Sequence, residues 1–176
     1  MPILQTERLI IRPFTMNDLN EAYAVLEGHP DVWRFDPGRQ RTLEERRDAL
    51  QYRIWEYENK GIGCMAVTLK ETGKLVGYVG LQLYLFEQEG RTTPEVELFY
   101  KLGRYFWGKG YALEACSEML RYAFEQLKLP RIVTWTHRDN ERSVALLRRL
   151  DMRIEPAPGY PEDVIAILEN DLMRDA

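Results

Sequence analysis

The stretch Arg104-Tyr105-Phe106-Trp107-Gly108-Lys109-Gly110-Tyr111-Ala112 decides the fold, because it ends a strand-like run and opens a long amphipathic helix with two glycines at the junction. The first amides of a helix have no intrahelical partner, and the macrodipole puts partial positive charge beside them. A phosphate placed there takes hydrogen bonds directly from the main chain. Gly108 and Gly110 keep side chains out of its way and permit unusual φ/ψ values, while Arg104 and Lys109 add two full positive charges.

Working outward, Ala112, Cys116, Met119, Ala123 and Leu127 recur at three- and four-residue steps, the stripe expected of a helix lying on a sheet. Residues 95–102 before it and 132–137 after it read as strands, and Val144, Leu147 and Leu150 mark a shorter helix. Residues 164–168 read as a closing strand. Upstream, 8–14 reads as the first strand, followed by a helix near 16–26 with Thr15 as its cap. Thr42 and Glu45 form a T-x-x-E capping box ahead of a helix continuing to about Lys60. Apolar runs at 65–69 and 75–83 flank Glu71-Thr72-Gly73-Lys74, a tight reversal. The order is mixed α/β.

Three phosphate-binding readings compete for the glycine loop. Gly103, Gly108 and Lys109 fit the Walker pattern G-x-x-x-x-G-K-[ST] except at its end, where Gly110 stands in place of the magnesium-binding hydroxyl. Gly108-Lys109-Gly110 begins a dinucleotide-type G-x-G-x-x-G, but Leu113 occupies the last position. The coenzyme A pyrophosphate loop, [QR]-x-x-G-x-[GA], has both small positions met by Gly108 and Gly110, with Tyr105 at its first position.

From Thr6-Glu7-Arg8-Leu9 and Arg12-Pro13-Phe14, through Trp107 to Ala112, to Asn140 and Ser143, the chain resembles the GNAT superfamily of N-acetyltransferases. The nearest likeness is to the ribosomal-protein (RimJ/RimL-like) branch, over residues 4–168. The resemblance implies an α/β (α+β) fold with a central mixed, mostly antiparallel sheet, splayed at its middle and flanked by helices. It also implies direct transfer of acetyl from acetyl-CoA to a primary amine within a ternary complex, with no metal. Where the family usually has Leu-Gly-Phe after the last core helix, this chain has Leu150-Asp151-Met152. Asp adopts the left-handed conformation more readily than most residues, so the turn is expected to persist.

On that resemblance the pyrophosphate is expected at Trp107, Gly108, Lys109, Gly110, Tyr111 and Ala112, and the thioester carbonyl at the amides of Phe99 and Tyr100. A Lys-like amine has an unperturbed pKa near 10.4 and must lose a proton before attack, so a base is useful. Glu97 is the candidate, with Glu95 on the same strand face as the alternative; an outward-facing surface carboxylate is the plainer reading. Asn140 reads as a helix cap and as a pantetheine ligand together. Ser143, or water, is the candidate acid for the departing sulfur, since the position that carries tyrosine in many relatives is Leu147. Arg142, Arg148 and Arg149 suit either the coenzyme's 3′-phosphate or plain solvation. Trp33, Phe35, Tyr52 and Trp55, with the segment 86–94 read as a loop, are expected to shape the acceptor pocket.

Composition sets the bounds. At 176 residues one domain spanning 1–176 is expected, with about 150 residues as the usual domain length. A net charge of −4 and a pI of about 5.4 supply no field for nucleic acid. No apolar run approaches about 18 residues, so no membrane span is expected, and the polar segment Gln5-Thr6-Glu7-Arg8 near the start argues against a signal peptide, so the compartment reads as cytoplasmic. Cys64 and Cys116 lie too far apart in sequence for a zinc motif and read as reduced core thiols. His29 and His137, the two histidines, read as a loop and a strand-end residue. The resemblance implies an amine acceptor, small molecule or protein N-terminus, as the partner, and a monomer or homodimer is expected as the assembly. The alternative is a non-catalytic acyl-CoA-binding or regulatory protein.

Overall fold

A computed structural model describes residues 2–36, 38–88 and 91–170. In chain order the elements are β1 (Leu4–Gln5), β2 (Leu9–Pro13), α1 (Leu19–Glu27), α2 (Pro30–Trp33), α3 (Leu43–Lys60), β3 (Cys64–Leu69), β4 (Leu75–Gln88) and β5 (Arg91–Leu102). There follow α4 (Tyr111–Glu125), β6 (Arg131–His137), α5 (Glu141–Arg149), β7 (Arg153–Pro156) and β8 (Asp163–Glu169). The eight strands run in the order β1-β2-β3-β4-β5-β6-β8-β7. Pairing is antiparallel for β1–β2, β2–β3, β3–β4, β6–β8 and β7–β8, and parallel for β5–β6. The expected mixed, mostly antiparallel sheet flanked by helices is therefore present.

The chain divides into two compact units, residues 1–80 with 100–118 and residues 81–99 with 119–176. In the first, β2 alternates with Leu9 and Ile11 fully buried, and β3 is buried from Cys64 through Thr68, as a central strand must be. The capping box forms: Glu45 N–H donates to Thr42 Oγ1 at 3.2 Å, and Thr42 N–H to Glu45 Oε2 at 2.8 Å. The helix expected at 16–26 begins later. Asp18 accepts Arg12 Nη2 at 2.7 Å and the Thr15 amide at 2.8 Å, which tightens Met16–Asp18 into a 3-10 turn before α1.

The connection from α1 to α3 hangs on Glu27, which is 2% exposed. Its carboxylate pairs with buried Arg46 and accepts the Arg41 amide at 2.9 Å. Its carbonyl accepts Gln40 Nε2 at 3.2 Å and Trp33 Nε1 at 3.4 Å. The short α2 in this connection is capped by His29, whose Nδ1 accepts the Asp31 amide at 3.2 Å, with Pro30 at the first helical position.

In the second unit Leu81, Leu98, Met119, Ile132 and Leu147 are fully buried. Of the α4 stripe, Cys116, Met119 and Ala123 are buried, and the helix ends at Glu125, before Leu127. The α5 turn persists as expected: Asp151 sits at φ 58°, with Asp151 N–H to Arg148 O and Met152 N–H to Leu147 O both at 3.1 Å. That is the double bond pattern of a left-handed helix stop.

The segment 86–94 is mostly strand rather than loop. β4 continues to Gln88 and β5 starts at Arg91, while residues 89 and 90 lie outside the described residues. Leu83 and Leu85 are already 62% and 59% exposed, so β4 runs past the core and loses the burial signature that marks a strand in sequence.

Candidate functional site

The glycine loop belongs to the first unit. Arg104–Phe106 forms a 3-10 turn, and Trp107 Nε1 donates to Leu102 O at 2.8 Å. Gly108 and Gly110 then take φ 75° and 82°. A Cβ at Gly108 would meet nothing within 4 Å, so that glycine is required by backbone hand and not by crowding. The Glu114 amide bonds the Gly110 carbonyl at 3.0 Å as α4 begins. The amides of Tyr111, Ala112 and Leu113 precede that bond and have no carbonyl one turn back within the helix. Residues 107–112 thus make a loop suited to an anion, in which the Trp107 amide already donates to Arg104 O at 3.3 Å.

Sequence reading missed what holds this cradle. Arg8 donates from Nε to Glu114 Oε2 at 2.6 Å and from its main-chain amide to Oε1 at 2.8 Å. Its Nη1 donates to Lys109 O at 3.0 Å, and its guanidinium lies 4.7 Å from the Tyr111 ring centre. Thr6 also hydrogen-bonds Glu114. Partial burial pushes the Glu114 carboxyl up, but the bonds from Thr6 and Arg8 outweigh it and hold the group below the ordinary range. The carboxylate in the first turn of α4 is thereby neutralised. The signal was present in Thr6-Glu7-Arg8-Leu9, whose partner lies 106 residues away. Arg104 is committed elsewhere: its Nε pairs with Asp31 at 3.1 Å and its guanidinium stacks 5.1 Å from the Trp107 ring. Tyr105 is 79% exposed.

Glu97 lies on β5 in register with Val133 of β6 and accepts Gln82 Nε2 at 2.6 Å. Among the described residues that is the one β5–β6 register pair, whereas β6 pairs with β8 along its whole length from Arg131 to His137. Phe99 and Tyr100 follow on β5, both half-buried. Glu95, the alternative base, is buried in an ion pair with Arg131, whose Nε donates at 2.9 Å. This places Glu95 as a structural carboxylate.

Asn140 caps α5, its Oδ1 accepting the Ser143 amide at 3.3 Å, and Ser143 is half-buried in the first turn. Leu147 is fully buried, whereas Arg142, Arg148 and Arg149 are exposed. His137 Nδ1 accepts the Asp139 amide at 3.1 Å.

The four expected acceptor aromatics are all in the first unit. Tyr52 and Trp55 stack at 5.9 Å, half exposed, with Lys60 Nζ 5.9 Å from each ring. Trp33 is tied to Glu27 O, and Phe35 lies under Arg34 at 5.1 Å. A second aromatic group, missed in sequence, occupies the other unit: Trp135 packs 5.7 Å from Tyr84 and 6.2 Å, edge-on, from Tyr160.

Cys64 and Cys116 are free and buried, and burial pushes the Cys64 thiol up to about 12 and Cys116 higher. Among the described residues no cluster of three His, Cys, Asp or Glu is placed to hold a metal, and no helix is long and apolar enough to cross a membrane.

Comparison with known proteins fits this geometry. The family described as acetyltransferase (GNAT) domain matches residues 8–153. An uncharacterized N-acetyltransferase, p20 of Bacillus licheniformis, is 30% identical over 157 residues, 88% of this chain and 84% of its own. The crystal structure of an acetyltransferase from Agrobacterium tumefaciens str. C58 is similar with TM-score 0.78 at 28% identity, covering 96% of this chain and 95% of that one. RimL, a ribosomal L7/L12 alpha-N-protein acetyltransferase in complex with coenzyme A, reaches TM-score 0.77 over 96% of this chain and 98% of its own, a likeness of fold alone at 16% identity. The family match runs from Arg8, just before β2, to the first residue of β7, and the chain belongs to the GNAT family of N-acetyltransferases.

Proposed function

We propose that this chain transfers acetyl from acetyl-CoA directly to a primary amine in a ternary complex, in keeping with the family's acetyl-CoA-dependent chemistry. The observation that carries it is the cradle from Trp107 to Ala112, with its left-handed glycines and its first-turn carboxylate neutralised by Arg8. The pyrophosphate takes the amides of this cradle, with Lys109 exposed beside it. The amides of Phe99 and Tyr100, past the register pair Glu97↔Val133, are suited to the thioester carbonyl, where negative charge develops.

Acetyl-CoA supplies the activated acyl group as a thioester. Glu97 takes a proton from the acceptor ammonium, directly or through water, the amine nitrogen bonds the carbonyl carbon, and the C–S bond breaks. Ser143 or water returns a proton to the sulfur, giving the free CoA thiol. Asn140 holds the start of α5 and so positions Ser143. The ribosomal-protein branch is a reading of Thr6-Glu7-Arg8-Leu9 and Arg12-Pro13-Phe14. Arg8 and Arg12 each hold a carboxylate of the scaffold, so those motifs support the fold without naming the acceptor. Two buried free thiols suit the reducing cytoplasm.

A non-catalytic acyl-CoA binder is the second reading, favoured by Leu147, which fills with core packing the position where many relatives carry a tyrosine acid. Calorimetry with acetyl-CoA, followed by an amine panel read out as free thiol, tests both. Acetyl-CoA binds, and Gly110→Asp, which puts a carboxylate and a strained Cβ 3.2 Å from Arg8 Nη2 into the cradle, weakens binding by about 2 kcal/mol or more. Heat with magnesium-ATP but none with acetyl-CoA overturns the reading. Binding without turnover of any amine selects the non-catalytic one.

A further inference from the structure

Two guanidinium groups share the inner side of α3 in the first unit. Arg46 is buried and Arg53 half-buried, two turns apart and so on one side of the helix, with buried Leu50 between them. The helix packs on β3, where the register pairs Cys64↔Gly80 and Ala66↔Tyr78 put these four residues on one face of the sheet. Burial pushes the Cys64 thiol up against the pull of Arg53, Arg46 and Lys101, and it raises the Tyr78 hydroxyl against the pull of Lys101 and Arg53. Three cations from α3 and β5 thus converge on this patch.

The acids that meet them are already shared. Glu56 accepts Arg53 Nη1 at 2.9 Å and Lys60 Nζ at 3.1 Å, Asp36 accepts Lys101 Nζ at 2.8 Å, and Glu27 holds Arg46. These pairs contain four cations and three carboxylates. Arg46 Nε is buried and makes no hydrogen bond among the described residues. A guanidinium N–H enclosed in protein calls for an acceptor oxygen, since its lost hydration is otherwise uncompensated.

We propose that the acetyl acceptor carries a carboxylate, as a free amino acid does, and that Arg46, Arg53 and Lys101 bind it between α3 and the sheet of the first unit. The inference rests on the acetyl-transfer reading and gives it an acceptor class. Position links the cluster to the acceptor. Lys101 directly follows Tyr100, whose amide is suited to the thioester carbonyl, on β5. Asp36 follows Phe35 and Arg53 follows Tyr52, two of the aromatics expected at the acceptor pocket, and the Arg53 guanidinium lies 5.8 Å from the Tyr52 ring centre. Asp36 already seats one carboxylate on Lys101, with its main-chain carbonyl accepting the same ammonium at 2.6 Å. The acceptor's carboxylate supplies the anion that the cluster lacks, and arginine forks fix its orientation as well as its charge.

An amine without a carboxylate leaves the excess cation unmatched, and a protein N-terminus brings a neutral amide to the same place. In the reaction the amine nitrogen bonds the acetyl carbon as the C–S bond of acetyl-CoA breaks. The acceptor ammonium gives up two protons, of which one ends on the departing sulfur as the CoA thiol and the other in solvent. The carboxylate stays charged throughout.

Initial rates with two matched pairs, L-leucine against isoamylamine and L-tyrosine against tyramine, test the proposal in the parent chain, with an alanine-initiated peptide amide as a fifth acceptor. Each amino acid is expected to exceed its decarboxylated partner at least about 100-fold in kcat/KM. Arg53→Gln and, separately, Lys101→Gln should each raise the KM for L-leucine roughly tenfold and narrow that preference by the same factor. Isocaproate, which is L-leucine without its amine, should compete with L-leucine. Equal or better turnover of the amines or the peptide amide overturns the carboxylate assignment and leaves acetyl transfer standing. A preference unchanged in either folded variant also overturns it, as does acetyl-CoA binding with none of the five acceptors turned over. Calorimetric binding of isocaproate without competition assigns the cations to a free carboxylate and overturns their role in the acceptor site. Failure of acetyl-CoA itself to bind is the separate result that removes the acetyl-transfer reading beneath it.

Discussion

Arg8→Gln isolates the role of a residue that touches the proposed pyrophosphate cradle without belonging to it. The substitution removes a guanidinium that bonds Glu114 and Lys109 O, and it leaves the Glu114 carboxylate uncompensated in the first turn of α4. A carboxylate about 7 Å from one phosphate charge is repulsive by about 0.6 kcal/mol at a dielectric near 80 and about 2.4 kcal/mol near 20. Arg8 is 44% exposed at its side chain, so solvent screens the pair and a value of about 1 kcal/mol is expected, a fivefold rise in the Kd for CoA. Calorimetry at low and at high salt should show the difference shrinking as salt rises. The second variant carries the discrimination: Arg8→Gln combined with Glu114→Gln removes the repulsive charge and should recover most of the lost affinity. A folded Arg8→Gln protein with parental Kd refutes the reasoning, and so does a double variant no better than the single.

Two further outcomes follow from the same geometry. Glu97→Gln keeps the shape and the approach of Gln82 but cannot accept a proton, so kcat should fall roughly 100-fold with little change in CoA affinity, and the deficit should shrink as pH nears the acceptor's own pKa; parental kcat at pH 7 with a true acceptor dismisses Glu97 as base. Burial pushes the Asp18 carboxyl up, but Arg12 and the Thr15 amide outweigh it and hold it below the usual range, so its stabilisation is complete above the unfolded value near 3.9 and is lost as pH falls through the lower folded value. Asp18→Asn should therefore cost about 2 kcal/mol at pH 7 and flatten the acid limb of a melting-temperature profile below about pH 4; an unchanged acid limb counts against it.

Local chemistry was the legible part. The Thr42–Glu45 box, the Asp151 turn and the buried side of α4 each depend on residues within one or two turns of one another, so spacing alone reports them. The glycine loop was legible for the same reason. The second aromatic group was harder to see, because Tyr84, Trp135 and Tyr160 come from different elements and only the fold brings them together. Arg8 and Glu114 were read separately, one as a motif residue and the other as a helix charge, although each is the other's main contact. The length of β4 was hidden by physics of another kind, since a strand that has left the core need not alternate.

The tether at Glu27 makes the segment between α1 and α3 a cartridge. Its closing bonds run to Arg41, Gln40 and Arg46 at one end and to Trp33 within it, so both ends are gathered on a single residue. A compact loop of this kind closes on itself, and its tip can change in length or composition while its ends stay fixed. Transplanting residues 28–41 from a relative that keeps the Glu27–Arg46 pair is thus a modular exchange, whereas the same transplant into a chain lacking that pair would leave the insert unlatched.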